Sequence, residues 1–336
     1  MSTSSRTRSH GAPLILLYHR VAVDRTDPWG LCVAPAHFEE QLRVLAQRAR
    51  VMTLAALEAD IRAATLAPCS VAITFDDGYA DNLWTAAALL DRYALPATVF
   101  VSSRYVEEER EYWWDELDRL LLEPGALPRT IDLQIGDVRQ RLDFGIDAIH
   151  PVQAAAACAR WRAYELAPPT GRHAAYLLLW EQLVHVAHDE RRAVLEALAV
   201  QLGRTGTRRL DRRPLRLSEL MLLGRSGQVE IGAHTATHPL LPSHPADVQR
   251  REIEEGKTFL ERALDRPVTS FAYPHGGFTE ETVRIVREAG FARACTARPG
   301  QHPTDTASSR LLLGRHVVPD LDGDAFVRWL EEDVRA

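Results

Sequence analysis

The sequence has little of what marks disulfide-rich, membrane-bound or exported proteins. No apolar run approaches the roughly 18 residues of a membrane span, and the first one, Leu14–Tyr18, is too short for a signal-peptide core. The few cysteines lie far apart and form no CxxC pair, which argues against a thiolate metal site or a disulfide framework. They are Cys32, Cys69, Cys158 and Cys295. We therefore expect a protein without a membrane span that resides in the cytoplasm.

Lysine is almost absent, because Lys257 is the only one among 40 basic side chains. With 46 acidic side chains, the formal net charge is −6 and the sequence pI is about 6.1. This balance offers no basic face for nucleic acid. A hydrophobic fraction of 46% over 336 residues is enough for a large core without disulfides. We expect a soluble globular protein of one large or two ordinary domains.

Short aliphatic runs alternate with amphipathic helical stretches at both ends of the chain. Near-continuous apolar strands separated by helices are typical of a parallel sheet covered by helices. The pattern predicts an α/β protein, built either as a barrel or as a doubly wound sheet. The predicted strands are Leu14–Tyr18, Val71–Phe75, Ala97–Ser102, Val229–Ala233, Thr269–Tyr273, Phe291–Thr296 and Leu311–Val318.

The middle of the chain breaks this rhythm. It contains a predicted hairpin around Gly136 and Asp137, followed by Ala- and Leu-rich helices. We interpret it as an inserted, mostly helical subdomain. The predicted divisions are a flexible N-terminus at 1–11, an α/β unit at 12–103 and 214–325, and the insertion at 104–213.

The first segment whose side chains are suited to catalysis or metal binding is Thr74-Phe75-Asp76-Asp77-Gly78-Tyr79. Two adjacent carboxylates directly after a buried strand are costly unless a ligand uses them. Neighbouring side chains point in different directions, so one of the two can ligate a cation while the other faces a bound water. The alternative is that Asp-Asp-Gly is only a turn.

The second segment is His234-Thr235-Ala236-Thr237-His238, which follows a predicted strand. Two imidazoles at this spacing can bind one ion, and zinc favours nitrogen and oxygen ligands with one open position. An HxxxH pattern also occurs by chance. Gly232 and Pro239 bracket this one at a strand-to-loop corner, which favours the site. A third segment, Ser270 to Gly277, ends another strand and is by itself an ordinary loop.

Together the three segments resemble the polysaccharide deacetylases, carbohydrate esterase family 4 with the NodB-homology fold. The match is to TFDDG, then H-[ST]-x-x-H, then a Pro-aromatic-Gly loop, in the family's order. It covers residues 12–103 and 214–320. The resemblance implies an irregular (β/α) barrel, interrupted here by the helical insertion.

The resemblance also implies roles for individual residues. Asp76 is the general base, and Asp77, His234 and His238 are ligands of a divalent metal ion. Zn²⁺ is expected, with Co²⁺ and Ni²⁺ also suited to these ligands. An oxyanion donor is expected from the backbone N–H of the third motif's aromatic position. That motif supplies the expected substrate and oxyanion contacts Tyr273, His275 and Gly276.

The sequence departs from the family pattern in two places. The third motif reads Ala272-Tyr273-Pro274-His275-Gly276, so the arginine that usually orients the catalytic aspartate is missing. Arg315 is our candidate replacement. The general acid has two candidates, because His19 ends the first strand in a YHxV segment and His316 lies in the last strand. We favour His19, while either is also compatible with a structural histidine at a strand end.

The expected function is removal of the N-acetyl group from an N-acetylated sugar or sugar-bearing metabolite by amide hydrolysis. Two alternatives remain open at this stage. One is a catalytically weak carbohydrate-binding relative, and the other is an O-acetyl esterase or cyclic amidase that uses the same metal site. Trp113, Trp114 and Trp180 of the insertion are either sugar-stacking residues or part of its core.

Overall fold

A computed structural model describes residues 13–108, 110–206, 208–299 and 309–332, so the predicted flexible segment at 1–11 lies outside the described residues. Most strands of the described chain belong to one parallel sheet. The strands are β1 Leu14–Tyr18, β2 Arg20–Val21, β3 Cys32–Val33, β4 Arg50–Val51, β5 Ser70–Phe75, β6 Ala97–Val101, β7 Gly125–Ala126, β8 Thr130–Ile135, β9 Val138–Asp143, β10 Ile149–His150, β11 Val229–Ala233, β12 Ser270–Ala272, β13 Arg293–Cys295 and β14 His316–Val317.

The parallel sheet curls into an irregular barrel. Its strand order is β13-β12-β11-β6-β5-β1-β14, and β4 pairs additionally with β5. One short segment touches both ends of this order, because Leu313 forms a parallel bridge with Cys295 of β13 while β14 pairs with β1. The predicted (β/α) barrel class is thereby confirmed.

Side chains of the barrel strands alternate between its interior and the helices outside. The interior cluster contains the strand residues Ile15, Ala72, Phe100, Ala272 and Cys295 together with Leu313. Leu54 and Leu57 of the helix Leu54–Ala63 belong to the same cluster. Neighbours such as Leu14, Leu16 and Ile73 belong instead to the larger core beneath the outer helices. This alternation decides which residues at the strand ends reach the interior.

The helices are α1 Pro35–Arg48, α2 Leu54–Ala63, α3 Ala88–Tyr93, α4 Ser103–Glu108, α5 Trp113–Leu122, α6 Val152–Cys158, α7 Gly171–Leu183, α8 His188–Gln201, α9 Leu217–Leu223, α10 Ala246–Leu264, α11 Glu280–Glu288 and α12 Gly323–Glu332. Thr53 caps α2 by accepting the N–H of Ala56 at 3.1 Å, as a threonine N-cap should. A π-helical stretch at Asn82–Ala87 precedes α3. Among the described helices, none has the length and apolarity needed to cross a membrane.

The last predicted strand differs from the observed one. Leu311–Val318 was expected to be continuous, but its first part is a 3-10 turn at Ser309–Leu311 and only His316–Val317 forms a ladder. The segment leaves β13 at Leu313 and joins β1 at His316, so it crosses between the two ends of the barrel. A chain that changes partners within three residues cannot extend one ladder.

The middle of the chain builds a second core of its own. Helices α5, α7 and α8 pack around buried aromatic and leucine side chains, with the predicted hairpin present as β8 and β9. Buried ion pairs connect this part to the barrel. Arg212 lies 3.1 Å from Asp24 and also contacts Asp115 and Asp118 of α5.

Candidate metal and active site

Polar side chains gather at the carboxyl ends of the barrel strands. Asp76 and Asp77 follow β5, His234 follows β11, and His19 follows β1. Because the strands are parallel, these ends meet at one rim of the barrel, where such folds build their sites. The rim therefore brings together three segments that are remote in the sequence.

The backbone at Asp77 turns its carboxylate away from the strand direction. Asp77 has φ of 74°, and the next residue, Gly78, has φ of 82°. A Cβ on Gly78 would lie 2.9 Å from Cγ2 of Val101, so only glycine fits beside β6. The Tyr112 hydroxyl donates to the Asp77 carbonyl at 2.5 Å and holds this turn.

Asp77, His234 and His238 form a buried cluster suited to one cation. Asp77 Oδ1 lies 3.2 Å from His238 Nε2 and 3.6 Å from His234 Nε2. The three ligand atoms lie within 4.8 Å of one another. His234 Nδ1 pairs with the Ala272 carbonyl at 2.8 Å, which assigns its proton to Nδ1 and leaves Nε2 as a ligand.

The donor set of this cluster fits a divalent metal ion. Asp77 Oδ1 is buried and has no hydrogen-bond partner among the described residues. Burial raises the pKa of Asp77 to about 6 and lowers the pKa of His238 well below its usual value. A cation would offset the cost of ionising Asp77, and neutral imidazoles are the form that binds metals. One carboxylate and two imidazoles match the ligands that zinc takes in hydrolytic sites.

Helix α10 supports the loop that carries the two histidines. Glu252 accepts the N–H of Thr237 at 2.8 Å, that of Ala236 at 3.1 Å and the Thr237 hydroxyl at 2.6 Å. A Cβ on Gly256 would lie only 2.6 Å from the Thr235 carbonyl carbon, so glycine permits the close approach of the helix. The loop that carries His234 and His238 is therefore held in place by α10.

Asp76 is held by an arginine from the end of the chain. Arg315 is fully buried and donates to both oxygens of Asp76, at 2.7 Å and 2.6 Å. Its Nε donates to the Thr296 carbonyl at 2.9 Å, which fixes the guanidinium plane. Burial by itself favours the protonated acid, but the charge and hydrogen bonds of Arg315, together with the charges of His234 and His19, outweigh it and lower the pKa of Asp76 to about 2. The structure thus places the predicted replacement arginine against Asp76.

Only one of the two candidate acids reaches the site. His19 lines the central cavity, and its charge interactions are with Asp77, Asp76, Arg315 and His234. His316 is paired in register with Leu16, whose side chain faces the outer helices. Strand alternation therefore directs His316 away from the barrel interior, while its neighbour Val317 lines the cavity. This direction corrects the prediction that His316 is a candidate for the general acid.

The residues of the third motif lie partly in the core and partly in the wall of the cavity. Tyr273 is fully buried, packs against Phe271 and Phe278, and donates its hydroxyl to the Leu311 carbonyl at 3.0 Å. Its predicted substrate contact is therefore corrected, because the strand turns Ala272 inward and Tyr273 outward. His275 and Gly276 do line the cavity, with φ of 55° and 66°.

A cavity of about 300 Å³ is bordered by the cluster of Asp77, His234 and His238. Its walls combine the rim histidines and aspartates with tryptophans from the insertion and from the loop after β2. The lining residues are Leu17, His19, Trp29, Leu31, Asp76, Asp77, Trp114, Trp180, His234, His238, His275, Gly276, Ala297 and Val317. Trp113 is not among them, since its ring packs under Arg191 at 4.8 Å within the insertion.

A family model described as polysaccharide deacetylase matches residues 64–125 and 206–294. The two matched stretches contain the Asp76-Asp77 pair and the His234/His238 pair, on either side of most of the insertion. Over these two stretches, the chain matches the polysaccharide deacetylase family.

Similar proteins bear related names. The curated Bacillus subtilis (strain 168) protein "Putative polysaccharide deacetylase YxkH" is 27% identical over 103 residues, which cover 31% of this chain and 37% of that protein. The Streptococcus pyogenes deacetylase PplD, solved with acetate, aligns with a TM-score of 0.57 and 16% identity over 96% of this chain and 97% of that one. IcaB from Ammonifex degensii aligns with a TM-score of 0.54 and 17% identity, over 95% of each chain. At these identities, the two solved structures establish the fold alone.

Several residues of this site were not predicted from the sequence. Trp29 precedes a turn glycine, Glu252 and Gly256 lie in a charged helix, and Tyr112 belongs to the insertion. None stands in a motif, because each contacts the site only through tertiary packing. The spacing of Glu252 and Gly256 on one helical face was the single local indication that they act together.

Proposed function

We propose that the protein is a metal-dependent hydrolase that removes the N-acetyl group from an N-acetylated sugar or glycoconjugate. The proposal depends mainly on the different surroundings of the two adjacent carboxylates. Asp77 lies among the ligand atoms of His234 and His238, whereas Asp76 is bound by Arg315 on the cavity side. An adjacent ligand and base are what amide hydrolysis at a metal requires.

Asp77, His234 and His238 would hold the divalent ion, for which Zn²⁺ is the best match and Co²⁺ or Ni²⁺ are alternatives. When bound, the ion supplies Lewis acidity toward the acetyl carbonyl oxygen and lowers the pKa of a water. All three of these residues line the cavity, through which water and substrate would reach a bound ion.

Asp76 accepts the proton of the attacking water. Its Oδ2 lies 3.8 Å from His234 Nε2, so the base stands directly beside the ligand cluster. Arg315 keeps this carboxylate ionised and oriented through two hydrogen bonds, which supports its use as a proton acceptor. The missing motif arginine therefore does not favour the catalytically weak alternative.

His19 returns a proton to the leaving amine. It is the histidine at the end of β1 that lines the cavity beside both aspartates. The backbone N–H of His275 is the proposed oxyanion donor, held in a left-handed conformation with φ of 55°. The proposed base, acid and oxyanion donor thus follow three different strands of the same rim, β5, β1 and β12.

The test is acetate release by metal-stripped and zinc-restored protein on a panel of N-acetyl and O-acetyl sugars. We expect activity to return with zinc, and Asp76→Asn to lower kcat by roughly 10²- to 10⁴-fold because the general base is lost. The exposed residue Asp91 supplies the control Asp91→Asn, which should leave kcat unchanged. Equal slow release by wild type and Asp76→Asn would support the binding alternative, and release from O-acetyl sugars only would support the esterase.

A further inference from the structure

One side of the cavity is lined by a row of adjoining rings. The Trp29 and Trp180 ring centroids lie 4.3 Å apart, and Trp180 lies 5.9 Å from His275. The row therefore runs from the loop after β2, across α7, to the third motif. A substrate that extends past this side of the cavity would have to cross the row of rings.

The loop that carries Trp29 is firmly attached. Trp29 Nε1 donates to the Tyr176 hydroxyl of α7 at 2.7 Å, and the Ala163 N–H donates to the Pro28 carbonyl at 2.8 Å. The Asp27 carboxylate accepts the N–H groups of Leu31 at 2.8 Å and of Cys32 at 3.1 Å. These hydrogen bonds hold the loop at both ends, so the row of rings is a fixed part of the structure.

The cavity offers few polar groups beyond those used in the reaction. Tryptophans aside, its polar lining side chains are His19, Asp76, Asp77, His234, His238 and His275. The proposed function employs all of them but the ring of His275. The indole N–H groups of Trp29 and Trp114 are already bonded, to the hydroxyls of Tyr176 and Tyr79. Trp29 and Trp114 therefore present apolar ring surface to a substrate, and not hydrogen-bond donors.

The remaining wall is aliphatic. Leu17, Leu31, Ala297 and Val317 complete the lining. A ligand held by aliphatic and aromatic surfaces is bound through its apolar area. The volume of about 300 Å³ lies at the lower end of ligand sites. An internal unit of a polymer would need an exit on each side, and the ring wall removes one of them.

We propose that the substrate is a terminal or single N-acetylated aminosugar unit that carries an apolar aglycone. This inference depends on the proposed deacetylase function and adds the substrate class to it. The acetamido group lies over Asp76 and Asp77. The apolar part of the substrate packs against Trp29, Trp180 and Val317.

The experiment compares free N-acetylglucosamine, its 4-nitrophenyl glycoside and chitopentaose with the zinc-loaded full chain. We expect the aryl glycoside to have the highest kcat/KM, roughly tenfold above the free sugar, because its ring adds a stacking contact. In chitopentaose, mass spectrometry should locate the free amine on a terminal unit. Deacetylation at internal units, or equal kcat/KM for the aryl glycoside and the free sugar, would overturn the inference.

Substitution of the wall supplies an independent readout. Trp29→Ala should lower kcat/KM for the aryl glycoside and allow internal units of chitopentaose to react. The control is Trp84→Ala, since Trp84 is 60% exposed and bonds to Glu219 outside the cavity. An unchanged product pattern in folded Trp29→Ala protein would contradict the inference. Acetate release from none of the substrates would instead reject the proposed function, so the two failures differ.

Discussion

At the scale of single residues, the site depends on a charge pair that joins distant parts of the chain. Arg315 and Asp76 are 239 positions apart, yet both are buried and doubly hydrogen-bonded. A planar guanidinium matches a carboxylate at two points, which a lysine ammonium cannot do. The orientation of Asp76, the proposed base, therefore depends on the planar two-point geometry of the Arg315 guanidinium as well as on its charge.

We expect Arg315→Lys to lower kcat roughly 10- to 100-fold with a smaller change in KM, because the base keeps a positive partner but loses its orientation. Steady-state acetate release with zinc measures this. Arg250→Lys, at a partly exposed ion pair on α10, is the control. Wild-type kcat in Arg315→Lys would show that bidentate contact is not needed.

Backbone strain is also concentrated at the site. Nine non-glycine residues in the described part of the chain have positive φ, and the site contains four of them. These four are Asp77, Thr235, His238 and His275. Each such conformation costs of order 1–3 kcal/mol and persists only where surrounding contacts impose it. The strain aims side chains that a regular strand or turn would direct elsewhere.

At the scale of elements, strand alternation separates the two histidines that the sequence left as rivals. His19 continues the inward series of Ile15 and Leu17, whereas His316 shares the outward side of Leu16. The direction of a strand-end side chain is set by its parity, and parity follows from the register.

We expect His19→Ala to lower kcat/KM by roughly 10²- to 10⁴-fold through loss of the general acid. His316→Ala should remain close to the wild type. The two variants are a matched pair, because each removes one imidazole. His19 follows β1 and His316 begins β14, and these two strands are paired. The reverse ranking in acetate release would return the acid role to His316.

Helix α10 acts on the metal ligands through the loop between them. Glu252→Gln replaces an acceptor of three hydrogen bonds with an amide that has one acceptor oxygen. We expect zinc affinity to fall roughly 10- to 100-fold, as for other groups that orient ligands. Titration calorimetry on the zinc-free protein measures it. Glu254→Gln, at an exposed position on the same helix, should bind zinc normally, and equal affinities in both variants would reject this role.

At the scale of the whole molecule, metal binding should couple to stability. Asp77, His234 and His238 come from the ends of two strands, so a bound ion connects distant parts of the barrel. An ion that binds only the folded state stabilises it by about 2.7 kcal/mol at a free concentration of 100 times Kd. Asp77 Oδ1, which is buried and has no hydrogen-bond partner in the described part of the chain, marks where this stabilisation would arise.

We expect zinc to raise the Tm of the wild type by a few degrees and to leave that of Asp77→Asn unchanged. Differential scanning calorimetry with and without a chelator measures both. The variant itself should be at least as stable as the zinc-free wild type, because burial already opposes ionisation of Asp77. An equal zinc-induced rise in both proteins would place the ion elsewhere.

Much of the architecture was predictable from local patterns. The apolar runs of β1, β5 and β11 and the Thr53 cap of α2 follow from burial and capping rules that act within a few residues. The last strand was not predictable, because its division between two partners is a property of barrel closure.

By itself, the sequence determined the strand–helix rhythm and the identity of the residue types that can bind a cation, since both are encoded by neighbours along the chain. Only the tertiary structure decided that Arg315 reaches Asp76, that Tyr273 faces the core and that Trp29 walls the cavity. Those outcomes depend on strand parity and on packing between segments far apart in the chain. Such contacts form only when the barrel curls and the insertion folds over its rim.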